Sequence, residues 1–178
     1  MNDCVICQLV NKAIPSWVIH EDEEVICFLP LEIEAFGHTV VALKTHCPDL
    51  FSLAPETFRC VLVALQKVAL HYRAAIGCTG VNLLHASGSA AQQSVPHFHV
   101  HLIPRFDEDG LDAWPHFPKA QCDKDELRDK LRFLAFSSPS QDGTTGFTTP
   151  ISTSPQTRTC ITKRRYRVLD SAALLCQI

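Results

Sequence analysis

His97-Phe98-His99-Val100-His101-Leu102-Ile103 is the stretch that decides how this chain reads. Three histidines alternate with apolar residues. In a β-strand successive side chains point to opposite faces, so residues i, i+2 and i+4 line one face. A strand over 97–103 puts three imidazoles in a row, about 6–7 Å apart. Phe98, Val100 and Leu102 then face a core on the other side. Imidazole has an ordinary pKa of about 6.5, close to neutrality. Three readings stand for such a row: a solvated histidine run, a zinc site, or one nucleophilic imidazole whose neighbours bind and protonate. On one flat strand all three cannot reach a single tetrahedral ion at about 2.0–2.1 Å, although two could with ligands from elsewhere.

Outward from the histidines, apolar runs alternate with turn signals back to the N-terminus. Asp3 is placed to cap a short helix from Cys4 to about Asn11. Trp17 to His20 and Val25 to Leu29 read as strands around the acidic turn Glu21-Asp22-Glu23-Glu24. Gly37 precedes a third run, Thr39 to Leu43. Pro55 and Glu56 suit the first turn of a helix. Phe58, Val61, Leu62, Leu65, Val68, Ala69 and Tyr72 give that helix its apolar stripe, and Gly77 ends it. Strands follow at Gly80 to His85 and His97 to Ile103, around the small polar loop 86–94. Beyond residue 110 the pattern changes. An extension over 111–136 carries Trp114 and an amphipathic helix near Asp123 to Phe136. Residues 137–178 form a tail rich in Ser, Thr, Pro, Gly and Gln up to Thr159. Such composition cannot bury enough apolar surface to offset chain entropy, so a disordered tail is expected.

A net charge of -3 argues against capture of a nucleic acid polymer or an anionic membrane, while leaving a small phosphorylated ligand open. No apolar run approaches a membrane span. The start, Met1-Asn2-Asp3-Cys4, lacks the layout of a secretion signal, so a cytoplasmic protein is expected. The odd count of nine cysteines then points to reduced thiols rather than a disulfide framework. Cys4 and Cys7 have metal-ligand spacing but supply only two ligands. His46 and His97 are candidates for the others, the alternative being two cysteines on the buried face of a short helix.

With these residues in view, the chain resembles the histidine-triad (HIT) superfamily, in its Hint-like, prokaryotic-type branch. The triad motif is matched by 97–103. The ordered flanking blocks are Cys4 to Cys7, Ala13-Ile14-Pro15, Gly37-His38-Thr39-Val40-Val41, Lys44-Thr45-His46, Gly88, Gln93-Ser94-Val95 and Ile103-Pro104-Arg105. The likeness covers residues 1 to about 110, the expected HIT domain. It implies an α+β fold: a five-stranded antiparallel sheet, one long helix and a short N-terminal helix, paired into a homodimer. It implies nucleotide hydrolysis or transfer at the α-phosphate, with His99 forming a nucleotidyl-histidine intermediate. The substrate would be a phosphoramidate or a dinucleoside polyphosphate. His101 and Ser94 would meet the phosphate beside Gln93, His38 would orient the triad, and Phe28 with Ile14, Leu31 and Val40 would face the base, unless these are ordinary core positions. Cys4, Cys7, His46 and His97 would hold a structural zinc.

Three departures qualify the likeness. Pro30 stands where relatives carry an aspartate for the ribose, Ala86 where they carry an asparagine near the phosphate, and Gln92 where glycine is common. A nucleotide-binding interaction module with vestigial catalysis is therefore the second reading, and a zinc-dependent scaffold a third. His20, His71, His85 and His116 match no ligand or catalytic position and read as structural or surface histidines. Arg105 suits either a phosphate contact or the surface.

Overall fold

A computed structural model describes residues 4–113 and 117–133, which fall into two separate units. The expectations for Asp3, Trp114, His116, Phe136 and the 137–178 tail lie outside the described residues.

The first unit runs α1 (Val5–Val10), β1 (Trp17–Glu21), β2 (Val25–Leu29), β3 (Thr39–Leu43), α2 (Pro55–Ala75), β4 (Gly80–Leu84), a single 3-10 turn (Ser89–Ala91) and β5 (His99–Arg105). The strands form one antiparallel sheet in the order β1-β2-β3-β5-β4. This is the expected α+β fold with its long and short helices.

Two-residue alternation sorts the sheet into two faces. Val25 and Cys27 of β2, Val41 and Leu43 of β3, and Val100 and Leu102 of β5 pack with Phe98 against Val61, Leu65, Val68 and Tyr72 of α2. The opposite face carries Ile26 and Phe28 of β2 and Val40 and Ala42 of β3 against Ile6 and Leu9 of α1. His99 pairs with Ala42 and His101 with Val40. The two imidazoles therefore stand on the α1 side of the sheet. Burying the Val, Leu, Ile and Phe side chains of the two faces contributes about 1.5–3 kcal/mol each.

The stripe expected on α2 is largely the buried one, with one correction. Leu62 is 46% exposed, and Ala64 is buried instead. Position 62 lies about 100° around the helix from Val61, which carries it off the sheet-facing side. Pro55 opens α2, and Gly77 follows its end at φ +70°, a value that suits glycine.

Strand β5 begins two residues later than its alternation suggests. The His97 N–H donates to the Val95 carbonyl (2.8 Å) and the Phe98 N–H to the Cys47 carbonyl (2.6 Å), so neither amide joins the ladder. The strand instead runs through Pro104 to Arg105. Proline is tolerated there because the β3–β5 ladder ends at Thr39–Leu102, leaving β5 paired only with β4. Gly37, at φ +78°, sits against this proline: a Cβ would lie 3.0 Å from Pro104 Cγ and 3.3 Å from Ile76 Cδ1.

Helix α1 matches its expected span within a residue, and the flanking Cys4 makes no side-chain cap. In the second unit, α3 spans Lys124–Leu131. Asp123 caps it, accepting from the amides of Asp125 (2.8 Å) and Glu126 (3.0 Å). The helix stops before the expected end because Arg132 is extended. Among the described residues all seven cysteines are free thiols, and no helix is long and apolar enough to cross a membrane.

Candidate active site and metal centre

The three triad histidines do not share one environment. His97, ahead of β5, is fully buried, while His99 and His101 line a small cleft with Ala86, Gln92, Gln93 and Ser94. The rings of His99 and His101 each have one nitrogen committed to a partner, and that partner sets where the proton resides.

His99 Nδ1 lies 2.7 Å from the His97 carbonyl. A carbonyl only accepts, so Nδ1 carries the proton and Nε2 keeps its lone pair. Burial lowers the pKa of His99, outweighing this hydrogen bond, which raises it. A neutral imidazole with a free Nε2 is a nucleophile near neutrality.

His101 has the reverse arrangement. Its Nδ1 is 2.8 Å from His38 Nε2, and His38 Nδ1 is buried without a hydrogen-bond partner. A buried N–H is left without a partner less often than a buried acceptor. His38 therefore carries its proton on Nε2 and donates to His101 Nδ1. His101 in turn is protonated at Nε2, which is left as a donor for an anion in the cleft. Burial, with help from His99, pushes the His101 pKa down to about 3, and burial also lowers that of His38.

Strand ends and loop geometry shape the rest of the cleft. Gln93 lines it, but its side chain is spent on main chain: Oε1 accepts from the Gly88 amide (2.7 Å), and Nε2 donates to the carbonyls of Pro48 (2.6 Å) and Val95 (2.9 Å). Gln93 thus braces the 88–95 loop. Gln92 adopts φ 65°, ψ 30°, a left-handed conformation that explains why glycine suits this position. Phe28 is 1% exposed within the α1-side core and does not line the cleft. Ile14 packs against the same cluster, and Leu31 is exposed. Arg105 is bound at its guanidinium by Asp109, Asn82 and the Leu111 carbonyl, so it fastens the segment after β5 and is turned away from any phosphate role.

His85, expected as a structural or surface histidine, is exposed and makes structural hydrogen bonds beside the site. Its Nδ1 meets the His99 carbonyl (2.7 Å), its Nε2 meets Ser87 Oγ (2.7 Å), and its ring packs on Phe98 at 4.5 Å between centroids. The available signal was its place, just ahead of the small polar loop.

The four proposed ligands do converge. Cys4 and Cys7 lie one helical turn apart at the start of α1, His46 follows β3, and His97 precedes β5; their donor atoms all lie within 4.8 Å of one another. His97 Nδ1 is 3.4 Å from Cys4 Sγ and 3.6 Å from Cys7 Sγ, and His46 Nδ1 is 3.3 Å from Cys7 Sγ. With bonds of about 2.3 Å to sulfur and about 2.1 Å to nitrogen, a tetrahedral ion spaces S and N about 3.6 Å apart. The residues therefore fit a metal ion. His97 donates Nε2–H to the Leu43 carbonyl (2.8 Å), which turns the Nδ1 lone pair toward the cluster. Burial pushes the His97 pKa down to about 4, and burial with the adjacent Cys4 raises that of the Cys7 thiol.

Comparison with known proteins agrees with this geometry. A family model for the HIT domain matches residues 11–108. Protein hit of Bacillus subtilis is 36% identical over 112 residues, covering 62% of this chain and 77% of that protein. An adenosine 5'-monophosphoramidase of Schizosaccharomyces pombe is 32% identical over 117 residues, covering 65% and 85%. An adenylylsulfatase of Arabidopsis thaliana is 34% identical over 113 residues, with 62% of this chain covered and 56% of that longer protein. Among solved structures, a HIT family protein from Bacillus anthracis superposes with a TM-score of 0.65 at 34% identity, covering 72% of this chain and 92% of its own. A zinc-bound histidine triad family protein from Mycobacterium smegmatis gives 0.60 at 34%, covering 63% and 81%. The sheet, the long helix and the paired imidazoles define a histidine-triad protein. The chain belongs to the HIT family.

Proposed function

We propose that the chain is a nucleotide hydrolase or transferase acting at an α-phosphate, with His99 as nucleophile. One observation carries the reading: His99 Nδ1 meets a carbonyl and His101 Nδ1 meets His38 Nε2 over one cleft, partners that favour opposite tautomers, a lone pair beside an N–H donor. His99 Nε2 attacks the α-phosphorus and forms an N–P bond. The bond to the leaving group breaks, and the leaving group departs with its electron pair and takes up a proton from water. The His97 carbonyl, already on Nδ1–H, stabilises the positive charge that develops on the ring. His101 Nε2–H hydrogen-bonds a phosphate oxygen, joined by Ser94 and by amides of the loop that Gln93 braces. Water then attacks the phosphorus and gives up a proton to solvent, which balances the one taken by the leaving group; the N–P bond breaks, its electron pair returns to Nε2, and a nucleoside monophosphate leaves with His99 neutral again.

Adenosine phosphoramidates are the preferred substrate class, because a related protein is an adenosine 5'-monophosphoramidase. Dinucleoside polyphosphates present the same α-phosphorus. A nucleotide-binding module with weak catalysis is the second reading. Ala86 on the cleft wall and the buried Pro30 offer no side-chain acceptor to a ribose, and among the described residues no carboxylate lines the cleft.

Zinc is the ion we assign to Cys4, Cys7, His46 and His97; bound there, it would tie α1 and the loop after β3 to the residue that orients His99. We further read residues 1–110 as the HIT domain, followed by an extension and a tail, in a cytoplasmic homodimer. In support of pairing, β4 is an edge strand on which Val81 and Leu83 are exposed.

Intact mass after brief incubation with adenosine 5'-phosphoramidate tests the chemistry. A gain of one adenylyl group, absent in His99→Ala, is expected. An equal gain in that variant rules out His99 as the nucleophile.

A further inference from the structure

The β4–β5 ladder ends at the Leu84–His101 pair. Beyond it, β4 gives way to the loop that walls the cleft, and Ala86 lies on that wall. The carbonyl of His99 is met there by a side chain, the Nδ1–H of His85 at 2.7 Å. The donor on this ring is fixed, because the acceptor is a carbonyl. His85 Nε2 is consequently an acceptor and accepts a hydrogen bond from the Ser87 hydroxyl at 2.7 Å, while Ser87 Oγ accepts one from the Leu50 amide at 2.8 Å. The ring rests on Phe98, the residue before the nucleophile. One imidazole thus spans the gap that opens when β4 leaves β5, and it ties the peptide of His99 to the loop opposite.

We propose that His85 is a positioning residue: it sets the spacing between the nucleophile His99 and the 86–94 loop that faces it across the cleft. The inference rests on the proposed chemistry for its catalytic meaning, and on geometry alone for its structural part. His85 touches no reacting atom. It acts by holding both sides of the cleft at once. A nucleophile that attacks in line needs this spacing, because a misplacement of about 1 Å costs on the order of 100-fold in rate.

Two variants of the full chain separate the contributions. His85→Phe keeps a ring on Phe98 and removes both hydrogen bonds. His85→Asn returns an amide donor near the place of Nδ1–H. Adduct formation on adenosine 5'-phosphoramidate is expected to slow about 10- to 100-fold in His85→Phe, with KM within about twofold. His85→Asn is expected to recover most of that loss. A wild-type rate in His85→Phe, or a loss in His85→Asn as deep as in His85→Phe, overturns the catalytic part. The structural part is read without substrate, from the carbonyl-carbon NMR shift of His99 in labelled protein. It should move in His85→Phe and return in His85→Asn; a shift indifferent to both overturns the positioning. Should the unaltered chain form no adduct although the shift responds, the proposed chemistry falls and the catalytic part falls with it. Should His85→Phe fail to fold, the rate and carbonyl shift of His85→Asn against wild type decide the case.

Discussion

At the scale of single residues, the site works by giving chemically identical side chains different hydrogen-bond partners. His99 faces a carbonyl, His101 faces another imidazole, and His97 faces a carbonyl on one nitrogen and two sulfurs on the other. Removing the donor to His101 should therefore matter although His38 is remote from the reacting phosphorus. In His38→Phe, His101 Nδ1 loses its donor and the ring is free to place its proton on either nitrogen. A fall of about 10-fold or more in turnover, with the fold retained, is expected in steady-state assays; unchanged turnover would remove His38 from the machinery. The depressed pKa values also bear on stability. The folded pKa of His101 is about 3, against about 6.5 in the unfolded chain. Below pH 6.5 the unfolded chain takes up a proton that the folded chain refuses, so the stability this group contributes is present above 6.5 and drains away toward pH 3. Urea midpoints should fall over that window, with a slope of up to about 1.4 kcal/mol per pH unit from this residue. His101→Asn should flatten the curve there.

At the scale of elements, the close approach of Gly37 to β5 and the proposed metal ligands at the start of α1 each make a test. Gly37→Ala combines a positive φ with a clash against Pro104 and should cost about 2–3 kcal/mol, whereas Gly77→Ala, with open space around its Cβ, should cost about 1 kcal/mol. Equal losses in guanidine titrations would show that Pro104 simply moves aside. Helix α1 has six residues and no side-chain cap, too short to persist alone. Chelation, or Cys4→Ser, should lower the thermal midpoint and expose the α1 amides to hydrogen exchange before those of β3. Protection unchanged by chelation would mean that Ile6 and Leu9 alone hold the helix down.

For the whole molecule, the sheet leaves β1 and β4 as its edges. An exposed strand edge with apolar side chains invites pairing, and Leu83 on β4 is 49% exposed. Leu83→Glu should convert a homodimer into a monomer in sedimentation experiments without loss of the sheet's circular dichroism. Wild type sedimenting as a monomer would end the dimer proposal.

Alternation and periodicity predict five strands, the apolar stripe of α2 and which side of 97–103 meets a core, because those patterns report which side of an element is buried. The histidine run and the spacing of Cys4 and Cys7 likewise marked the residues of the cleft and of the metal cluster. What local pattern could not supply was direction. His97 looks like a third member of a strand row, yet its amide turns back to the Val95 carbonyl and the next amide, of Phe98, bonds the Cys47 carbonyl, which keeps it out of β5. Gln93 and Arg105 look like ligand-binding side chains, and their polar atoms are spent on main chain and on Asp109. His85 looks incidental until β4 ends beside the His99 carbonyl. Chemical type and spacing are written along the chain. The proton on each imidazole depends on a partner brought from elsewhere by folding, and that is why tertiary structure alone separates the proposed nucleophile, donor, ligand and splint among histidines that the sequence leaves alike.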